Sequence, residues 1–185
     1  MERLDTRLDG PMLLKPKVFG DERGFFTETY RRSLYTDLGI PEEMPQDNHS
    51  RSAAKIVRGM HFQVGAGTAK LVRCGRGAIY DVVVDLRRGS PTYGQWEGFE
   101  LSDENFHIVY CPVGFAHGFC VLSDVADVLY KQSRYYSDET ERGISYKDPD
   151  VGIEWPVPVD ELIPSERDAS APTLKEIQNE LPFTY

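Results

Sequence analysis

The stretch "AKLVRCGRGAIYDVVVDLR", Ala69 to Arg87, places two runs of β-branched and aromatic residues on either side of the turn signal "CGRG". Similar runs extend from about Lys55 to Tyr136: "IVRGMHFQ" before this stretch, and "QWEGFEL", "HIVYC", "AHGFCVL" and "DVLYKQ" after it. Turn residues separate them at short intervals, in "RRGSPTYG", "LSDEN" and "CPVGF". Many short strands at this spacing predict an antiparallel sandwich, jelly roll or barrel rather than β-α-β units.

Helices are predicted only outside this region. In "ETYRRSLYTDLG", Tyr30, Leu34 and Leu38 recur every four residues, and Gly39 ends the pattern. A second short helix, "TLKEIQNEL", is expected near the C-terminus. Because no repeat, low-complexity tract or linker interrupts the chain, we expect a single domain over residues 1–185 with N- and C-terminal arms.

The amino-acid composition indicates which partners and which compartment to expect for this protein. With 21 Lys and Arg against 30 Asp and Glu, the net charge of −9 disfavours nucleic acid but not a small anionic ligand held by a few local cations. No apolar run is long enough to cross a bilayer, and "MERLDTRLDG" lacks the apolar region of a signal peptide. Cys74, Cys111 and Cys120 are odd in number and lack CxxC spacing. We therefore expect a cytoplasmic protein with buried, reduced cysteines and no membrane contact.

Alternation along two predicted strands turns polar side chains inward. His117 shares a face with Phe119, and Tyr130 shares one with Val128 and Gln132. A small barrel is filled by side chains or holds one small ligand at its mouth. Both polar residues are therefore expected to point into an enclosed space.

His61, inside the apolar part of "RGMHFQVGAGTAKLV", has three interpretations: a core histidine, a metal ligand or a base. An isolated histidine of this kind is more often a core residue, but Arg58, Lys70 and the polar stretch "PQDNHSRS" lie nearby. Simple alternation puts Arg58 and His61 on opposite faces. A site that uses both requires a bulge near Gly59.

The interpretation of His61 as a metal ligand is weakened because the sequence matches one half of a metal-binding signature and not the other. "PVGFAH" matches the P-x-G-x-x-H half of the cupin signature, but "HFQVGAG" lacks the second histidine and the glutamate of the other half. His49 and His107 lie in polar segments that we expect to be exposed, which leaves His61 and His117. We therefore predict no metal and no cofactor, and favour proton transfer next to a carbonyl by histidine, lysine and tyrosine.

Three further carboxylates are interpreted as structural. Asp21 lies in a turn beside Arg23, and Asp81 and Asp85 flank "VVV" on one strand. We expect structural pairing for all three rather than catalysis.

Motifs in order along nearly the whole chain resemble the dTDP-4-dehydrorhamnose 3,5-epimerase family, the cupin-type epimerases of deoxysugar nucleotide biosynthesis. They are "VFGDERGFFTETY", "PQDNHSRS", "VRGMHFQ", "KLVRCGRGAIYDVVVDLRRGSPTYG", "ELSDEN", "PVGFAHGF", "LYKQSRYY", "ERGI", "DPDVGIEWP" and "LIPSERD". The resemblance implies a mainly β fold, a cupin jelly-roll β barrel with short peripheral helices. It also implies a homodimer in which the neighbouring chain contributes part of a sugar-nucleotide pocket.

The resemblance also implies roles for individual residues. The proton acceptor is His61 with Asp168 as its orienting carboxylate, the proton donor is Tyr130, and Lys70 lies near the C4 oxygen. The implied substrate contacts are Arg23, Glu28, Gln46, Asn48, Arg58, His117, Tyr136, Glu141 and Arg167, with Tyr136 stacked on thymine. For Glu28 and Glu141, a surface salt bridge is an equal alternative.

The implied activity is the inversion of C3 and C5 of dTDP-4-dehydro-6-deoxy-D-glucose to give dTDP-4-dehydro-L-rhamnose. The chain departs from the family at "GAGTA" before Lys70, and at Cys74 and Arg167. Relatives with similar features include enzymes that invert one carbon, so a C3-only epimerase is an alternative. A non-catalytic cupin that binds a sugar nucleotide and a metal-dependent cupin are the others.

Overall fold

The computed structural model describes residues 1–41 and 43–185, and most of its regular structure is β. The strands are β1 Glu2–Leu4, β2 Met12–Lys15, β3 Val18–Asp21, β4 Gly24–Thr27, β5 Gln46–Ala53, β6 Val57–Gln63, β7 Lys70–Arg76, β8 Ala78–Asp85, β9 Trp96–Ser102, β10 Ile108–Cys111, β11 Phe115–Val121, β12 Val125–Gln132 and β13 Glu141–Gly143. The helices are α1 Arg32–Asp37, α2 Glu166–Ala169 and α3 Leu174–Ile177, with 3₁₀ turns at Val159–Glu161 and Gln178–Glu180.

Two antiparallel sheets form the body of the molecule. One has the order β1-β2-β10-β7-β12-β5 and the other β13-β6-β11-β8-β9, while β3 and β4 form a separate hairpin. The consecutive strands β7 and β8 lie in different sheets, and the chain crosses between them at Gly77, whose φ is +75°. A Cβ there would lie 2.2 Å from the Val125 carbonyl oxygen, so this crossing requires glycine.

The core lies between the two sheets and behind the second one. Val72 of β7 and Val128 of β12 meet Val83 of β8 and Phe119 of β11 in one apolar cluster. Val82 and Val84, on the other face of β8, pack in a second cluster that includes Trp155, Leu174 and Phe183 of the C-terminal segment. Strand β8 is therefore buried on both faces, which explains why "VVV" replaces simple alternation.

The predicted jelly-roll architecture with short helices is confirmed, although the described residues show no hydrogen-bonded strand pair that joins the two main sheets into a closed barrel. The three cysteines are free and buried, as expected. In residues 1–41 and 43–185 no helix is long and apolar enough to span a membrane.

Predictions of individual helices and strands were less accurate in the segment before Lys55. Helix α1 is shorter than expected, and its buried residue is Tyr35 rather than Leu34. Tyr35 donates a hydrogen bond to the Thr29 carbonyl oxygen at 2.8 Å, which holds the helix against the preceding loop. The strands before Lys55 were not predicted. In particular, "PQDNHSRS" contributes to β5, an edge strand whose polar alternation does not stand out from a loop.

Candidate active site

A cavity of about 430 Å³ opens between the sheets, within the size range of small-molecule sites. It is lined by polar groups from β6, β7, β11, β12 and the loop that carries α2. The predicted site residues in its wall are Arg58, His61, Lys70, His117, Tyr130, Tyr136, Glu141, Arg167 and Asp168. These residues are separated by up to 110 positions in the sequence, and the fold brings them together.

A bulge in β6 lets Arg58 and His61 face the same cavity. Opposite β6, His117 pairs with His61 and Phe119 pairs with Arg58, so β6 carries one extra residue between the two pairs. Gly59 lies at this point with φ of +125°, and a Cβ there would lie 2.5 Å from the Gly118 Cα. The predicted bulge near Gly59 is confirmed, and it depends on two glycines in contact.

His61 faces a buried carboxylate. Its Nε2 lies 2.6 Å from Asp168 Oδ1, and the Gly59 N–H donates to Asp168 Oδ2 at 3.3 Å. Burial alone would raise the pKa of the Asp168 carboxyl, but its hydrogen bonds, led by that to His61, hold the pKa below its usual value. The ionised carboxylate places the proton on Nε2, so Nδ1 of His61 is the nitrogen left to act as a base.

A second histidine–carboxylate pair lies deeper. His117 Nε2 is 2.8 Å from Asp81 Oδ2, and Asp81 is fully buried. Burial lowers the pKa of His117, with opposing contributions from Asp81 that do not reverse the shift, so this imidazole is neutral near pH 7. The expected pairing of Asp81 is confirmed. Its partner, a histidine in the cavity wall, was not predicted, because the two residues lie on neighbouring strands 36 positions apart.

The other two structural carboxylates also pair as expected. Asp85 Oδ2 accepts from Arg87 Nη2 at 2.8 Å and from the Ser90 hydroxyl at 2.6 Å. Asp21 binds the guanidinium of Arg23. Neither carboxylate lines the cavity.

Lys70 and Tyr130 extend the polar wall from the first sheet. Lys70 is buried, and its Nζ donates to the His61 carbonyl oxygen at 3.3 Å. Burial lowers the pKa of this ammonium group. The pKa of Tyr130 is raised, first by burial and then by the charge of Glu141, so its hydroxyl keeps its proton near pH 7. The cavity thus brings an imidazole, a buried amino group and a protonated phenol together.

A hydrogen-bonded group closes part of the cavity mouth. The Tyr136 hydroxyl donates to Glu141 Oε2 at 2.8 Å, and Arg167 Nη1 lies 2.5 Å from the same oxygen. The Gln46 side-chain oxygen accepts from Tyr136 N at 2.7 Å, and its Nε2 donates to Asn48 at 3.0 Å. Gln46 and Asn48 are therefore held beside the mouth but are not part of the cavity wall.

Arg23 and Glu28 are not brought to this cavity. The Arg23 side chain is 85% exposed at the tip of the β3–β4 hairpin, and Glu28 lies 3.2 Å from Arg31 Nε on the surface. In the single chain these predicted contacts form surface ion pairs. Both residues therefore lie outside the cavity wall of the single chain.

Several wall residues were not among the predicted site residues, including Ser50, Phe119, Ser165 and Gln132. The alternation that singled out Tyr130 also placed Gln132 on the inward face, and that was the available signal.

Among the remaining histidines, His49 is exposed as expected, whereas His107 is partly buried, which corrects that expectation. In the described residues no three His, Cys, Asp or Glu side chains form a group suited to a metal ion.

Comparison with known proteins identifies the family. The model of the dTDP-4-dehydrorhamnose 3,5-epimerase family matches residues 5–176. The chain belongs to this family. A dTDP-4-dehydrorhamnose 3,5-epimerase from Methanothermobacter thermautotrophicus is 47% identical over 174 residues, covering 94% of each chain. One from Salmonella typhimurium is 47% identical over 176 residues, covering 94% of this chain and 95% of its own.

A solved structure of the same family shares the fold along the whole chain. The dTDP-6-deoxy-D-glucose-3,5-epimerase from Legionella pneumophila, in complex with dTDP-4-keto-L-rhamnose, superposes with a TM-score of 0.96 at 44% identity. The match covers 100% of this chain and 98% of the other. The family fold implied by the ordered motifs is therefore confirmed.

Proposed function

We propose that this chain is an isomerase that inverts C3 and C5 of dTDP-4-dehydro-6-deoxy-D-glucose and yields dTDP-4-dehydro-L-rhamnose. The observation that carries the proposal is the His61–Asp168 pair at 2.6 Å, in a cavity that also contains Lys70 and Tyr130. The names of the relatives and the sugar nucleotide bound to the Legionella protein support the same substrate class.

The proposed chemistry uses the acidity of protons next to a ketone. Nδ1 of His61 takes the proton from C3 or C5, and the electron pair of that C–H bond moves towards the C4 oxygen. Lys70 stabilises the resulting enolate, and Asp168 stabilises the imidazolium. Tyr130 delivers a proton to the opposite face of the carbon. His61 then loses its proton and Tyr130 regains one through solvent, so each inversion consumes no cofactor.

The groups at the mouth suit the nucleotide. Arg58 and Arg167 are proposed to bind the diphosphate, because guanidinium groups form paired hydrogen bonds with phosphate oxygens. Tyr136 offers an aromatic face to thymine. Further polar contacts are assigned to Gln46, Asn48, His117 and Glu141. Arg167 Nη1 is bound to Glu141 in the free chain, and the other N–H groups of its guanidinium are proposed to bind the diphosphate.

A homodimer with a shared pocket is proposed for the remaining contacts. Arg23 lies at the tip of the β3–β4 hairpin, and Glu28 follows it. The hairpin exposes Phe19, Phe25 and Phe26, which are 54%, 61% and 70% exposed. Exposed aromatic side chains in a cluster are typical of a protein interface. We propose that the hairpin docks on a second copy and brings Arg23 and Glu28 to the partner's cavity.

We also propose a cytoplasmic location and a single-domain organisation. Three free, buried cysteines support a cytoplasmic location, because thiols remain reduced there. The family match over residues 5–176 supports one cupin-like domain with N- and C-terminal arms over residues 1–185.

The test is incubation of the protein with the 4-keto sugar nucleotide in D₂O, with deuterium at C3 and C5 followed by NMR. Exchange at both carbons and formation of the L-sugar are expected. Exchange at C3 alone would replace the proposal with a C3-only epimerase. Binding without exchange would indicate a non-catalytic cupin, and loss of exchange after treatment with a chelator would indicate a metal.

A further inference from the structure

Two short motifs near the C-terminus have the pattern of a helix capping box, in which a Ser or Thr is followed three residues later by an acidic residue. Thr173 and Glu176 form the complete box at the start of α3. The Thr173 hydroxyl accepts from Glu176 N at 3.4 Å, and Glu176 Oε2 accepts from Thr173 N at 2.7 Å. Both polar groups are used to begin the helix.

Ser165 and Asp168 have the same spacing at the start of α2, but form half of the box. The Ser165 hydroxyl accepts from Asp168 N at 3.1 Å. The Asp168 carboxylate does not complete the box: Oδ1 is directed to His61 Nε2 at 2.6 Å and Oδ2 to Gly59 N at 3.3 Å. A carboxylate that would ordinarily cap a helix is thus directed into the active site.

Helix α2 needs this cap, because it has only four residues. The loop before it is attached to the chain at the start of β6 by two hydrogen bonds: Val57 N donates to the Ile163 carbonyl oxygen at 3.1 Å, and Ile163 N donates to that of Lys55 at 2.9 Å. Beyond Ile163, the Ser165 hydroxyl accepts from the backbone N–H of Asp168, while the Asp168 carbonyl oxygen accepts from Ala171 N at 3.4 Å. The hydroxyl is thus the side-chain group that fixes the N-terminal side of Asp168.

We propose that Ser165 is a positioning residue for the His61–Asp168 pair, an inference that rests on the proposed function. Without the hydroxyl, Asp168 N loses its side-chain acceptor, and the Asp168 carboxylate occupies the position from which a capping box bonds back to the start of its own helix. A carboxylate drawn towards the N–H groups of this helix start moves away from His61 Nε2. The neutral imidazole is then a mixture of two tautomers. In the fraction that carries its proton on Nδ1, this nitrogen has no lone pair to accept a proton from substrate.

The test compares Ser165→Ala, Ser165→Gly and Ser165→Thr with Thr173→Ala as the matched control. Glycine retains most of the capping preference while it removes the hydroxyl, so it keeps the fold intact if alanine does not. We expect Ser165→Ala and Ser165→Gly to lower kcat about tenfold with KM within about twofold, and Ser165→Thr to restore it. Thr173→Ala, which removes an equivalent cap away from His61, should leave kcat within about twofold.

A second measurement does not depend on turnover. The ¹⁵N spectrum of the His61 imidazole should show a single Nε2–H tautomer in the wild type and in Thr173→Ala, and mixed tautomers in Ser165→Gly. The inference is overturned if Ser165→Gly keeps wild-type kcat and tautomer, or if Thr173→Ala loses as much kcat. If the wild-type protein shows no exchange at all, the proposed function fails, and the ¹⁵N comparison still decides the role of Ser165.

Discussion

His61 and His117 share one cavity and each faces a buried carboxylate, yet their surroundings give them different chemistry. The His61 side chain is 25% exposed, whereas that of His117 is 8% exposed. Burial lowers the pKa of His117, which keeps this ring neutral and is compatible with its proposed role as a substrate contact. His61 is the more accessible of the two rings, and its Nε2 lies 2.6 Å from Asp168 Oδ1. The greater exposure of His61 therefore favours it over His117 for the proposed role of base.

The first prediction concerns this base. His61→Asn and Asp168→Ala should each reduce turnover by about a thousandfold or more, since the first removes the base and the second its orientation. Binding of dTDP should remain within about threefold, because neither residue is assigned to the nucleotide. NMR turnover assays and calorimetry measure the two quantities. Asp160→Ala, at an exposed carboxylate in a 3₁₀ turn, is the control. Near-normal turnover in either site variant would refute the assignment.

The second prediction separates activity from stability at Lys70. Lys70→Met should lower kcat by about a hundredfold through loss of the enolate partner, and raise the free energy of unfolding at pH 7 by about 1 kcal/mol. The gain is expected because burial holds the pKa of Lys70 below its ordinary value of 10.5, so the folded state resists protonation.

The sign of the pH dependence at Lys70 follows from linkage. The destabilisation by Lys70 is fully present below its folded pKa and disappears as pH rises towards 10.5. The stability advantage of Lys70→Met should therefore shrink between pH 7 and pH 10, as measured by urea unfolding of both proteins. An advantage that grows with pH would show that the folded pKa is not lowered.

Among the elements, strand β6 is the one on which the site depends most. Its bulge places Arg58 and His61 on one face and directs the Gly59 N–H to Asp168. The strand pattern of "IVRGMHFQ" is visible in the sequence. The need for an irregularity near Gly59 is also visible there, and the close approach of Gly118 on the neighbouring strand explains why residue 59 is a glycine.

The third prediction tests this bulge. Gly59→Ala should destabilise the protein by about 3 kcal/mol or more, because φ is +125° and the new Cβ would meet Gly118 at 2.5 Å. Gly89→Ala is the matched control: φ is +84°, but no atom lies within 4 Å of its Cβ, so about 1 kcal/mol is expected. Urea unfolding measures both. Equal losses would mean that the contact with Gly118 adds nothing.

At the level of the whole molecule, the β3–β4 hairpin carries a cluster of exposed phenylalanine side chains. Phe25 packs edge-on against Phe106 with ring centroids 4.7 Å apart, while Phe26 is exposed. The hairpin thus has one aromatic residue in contact with the body of the chain, Phe25, and two further exposed ones, Phe19 and Phe26, available for a neighbour.

The fourth prediction tests the proposed dimer. Phe26→Asp should shift the protein from dimer to monomer, because a charge buried in an apolar interface lacks a partner. It should also raise KM about tenfold or more, since Arg23 and Glu28 would no longer reach the neighbouring cavity. Light scattering and kinetics measure the two effects. Val159→Asp, at another exposed apolar residue, is the control. A monomeric variant with unchanged KM would contradict the shared pocket.

Strand spacing, the inward positions of His117 and Tyr130, the unpaired cysteines and the need for a bulge near Gly59 could all be predicted from local patterns. These properties depend on alternation and turn residues a few positions apart, which periodicity records directly. The ordered family motifs added Asp168 as the partner of His61. Helix α1 and strand β5 were harder, because packing of Tyr35 and pairing with β12 determine them.

Long-range geometry determined the remaining features of the site. The His117–Asp81 pair, the use of half a capping box at Ser165, and the surface position of Arg23 all depend on which strands and loops become neighbours. Local sequence specifies which face a side chain occupies, since backbone periodicity acts over a few residues. It does not specify which distant group that side chain meets or how far water is excluded, because both are consequences of packing over the whole chain.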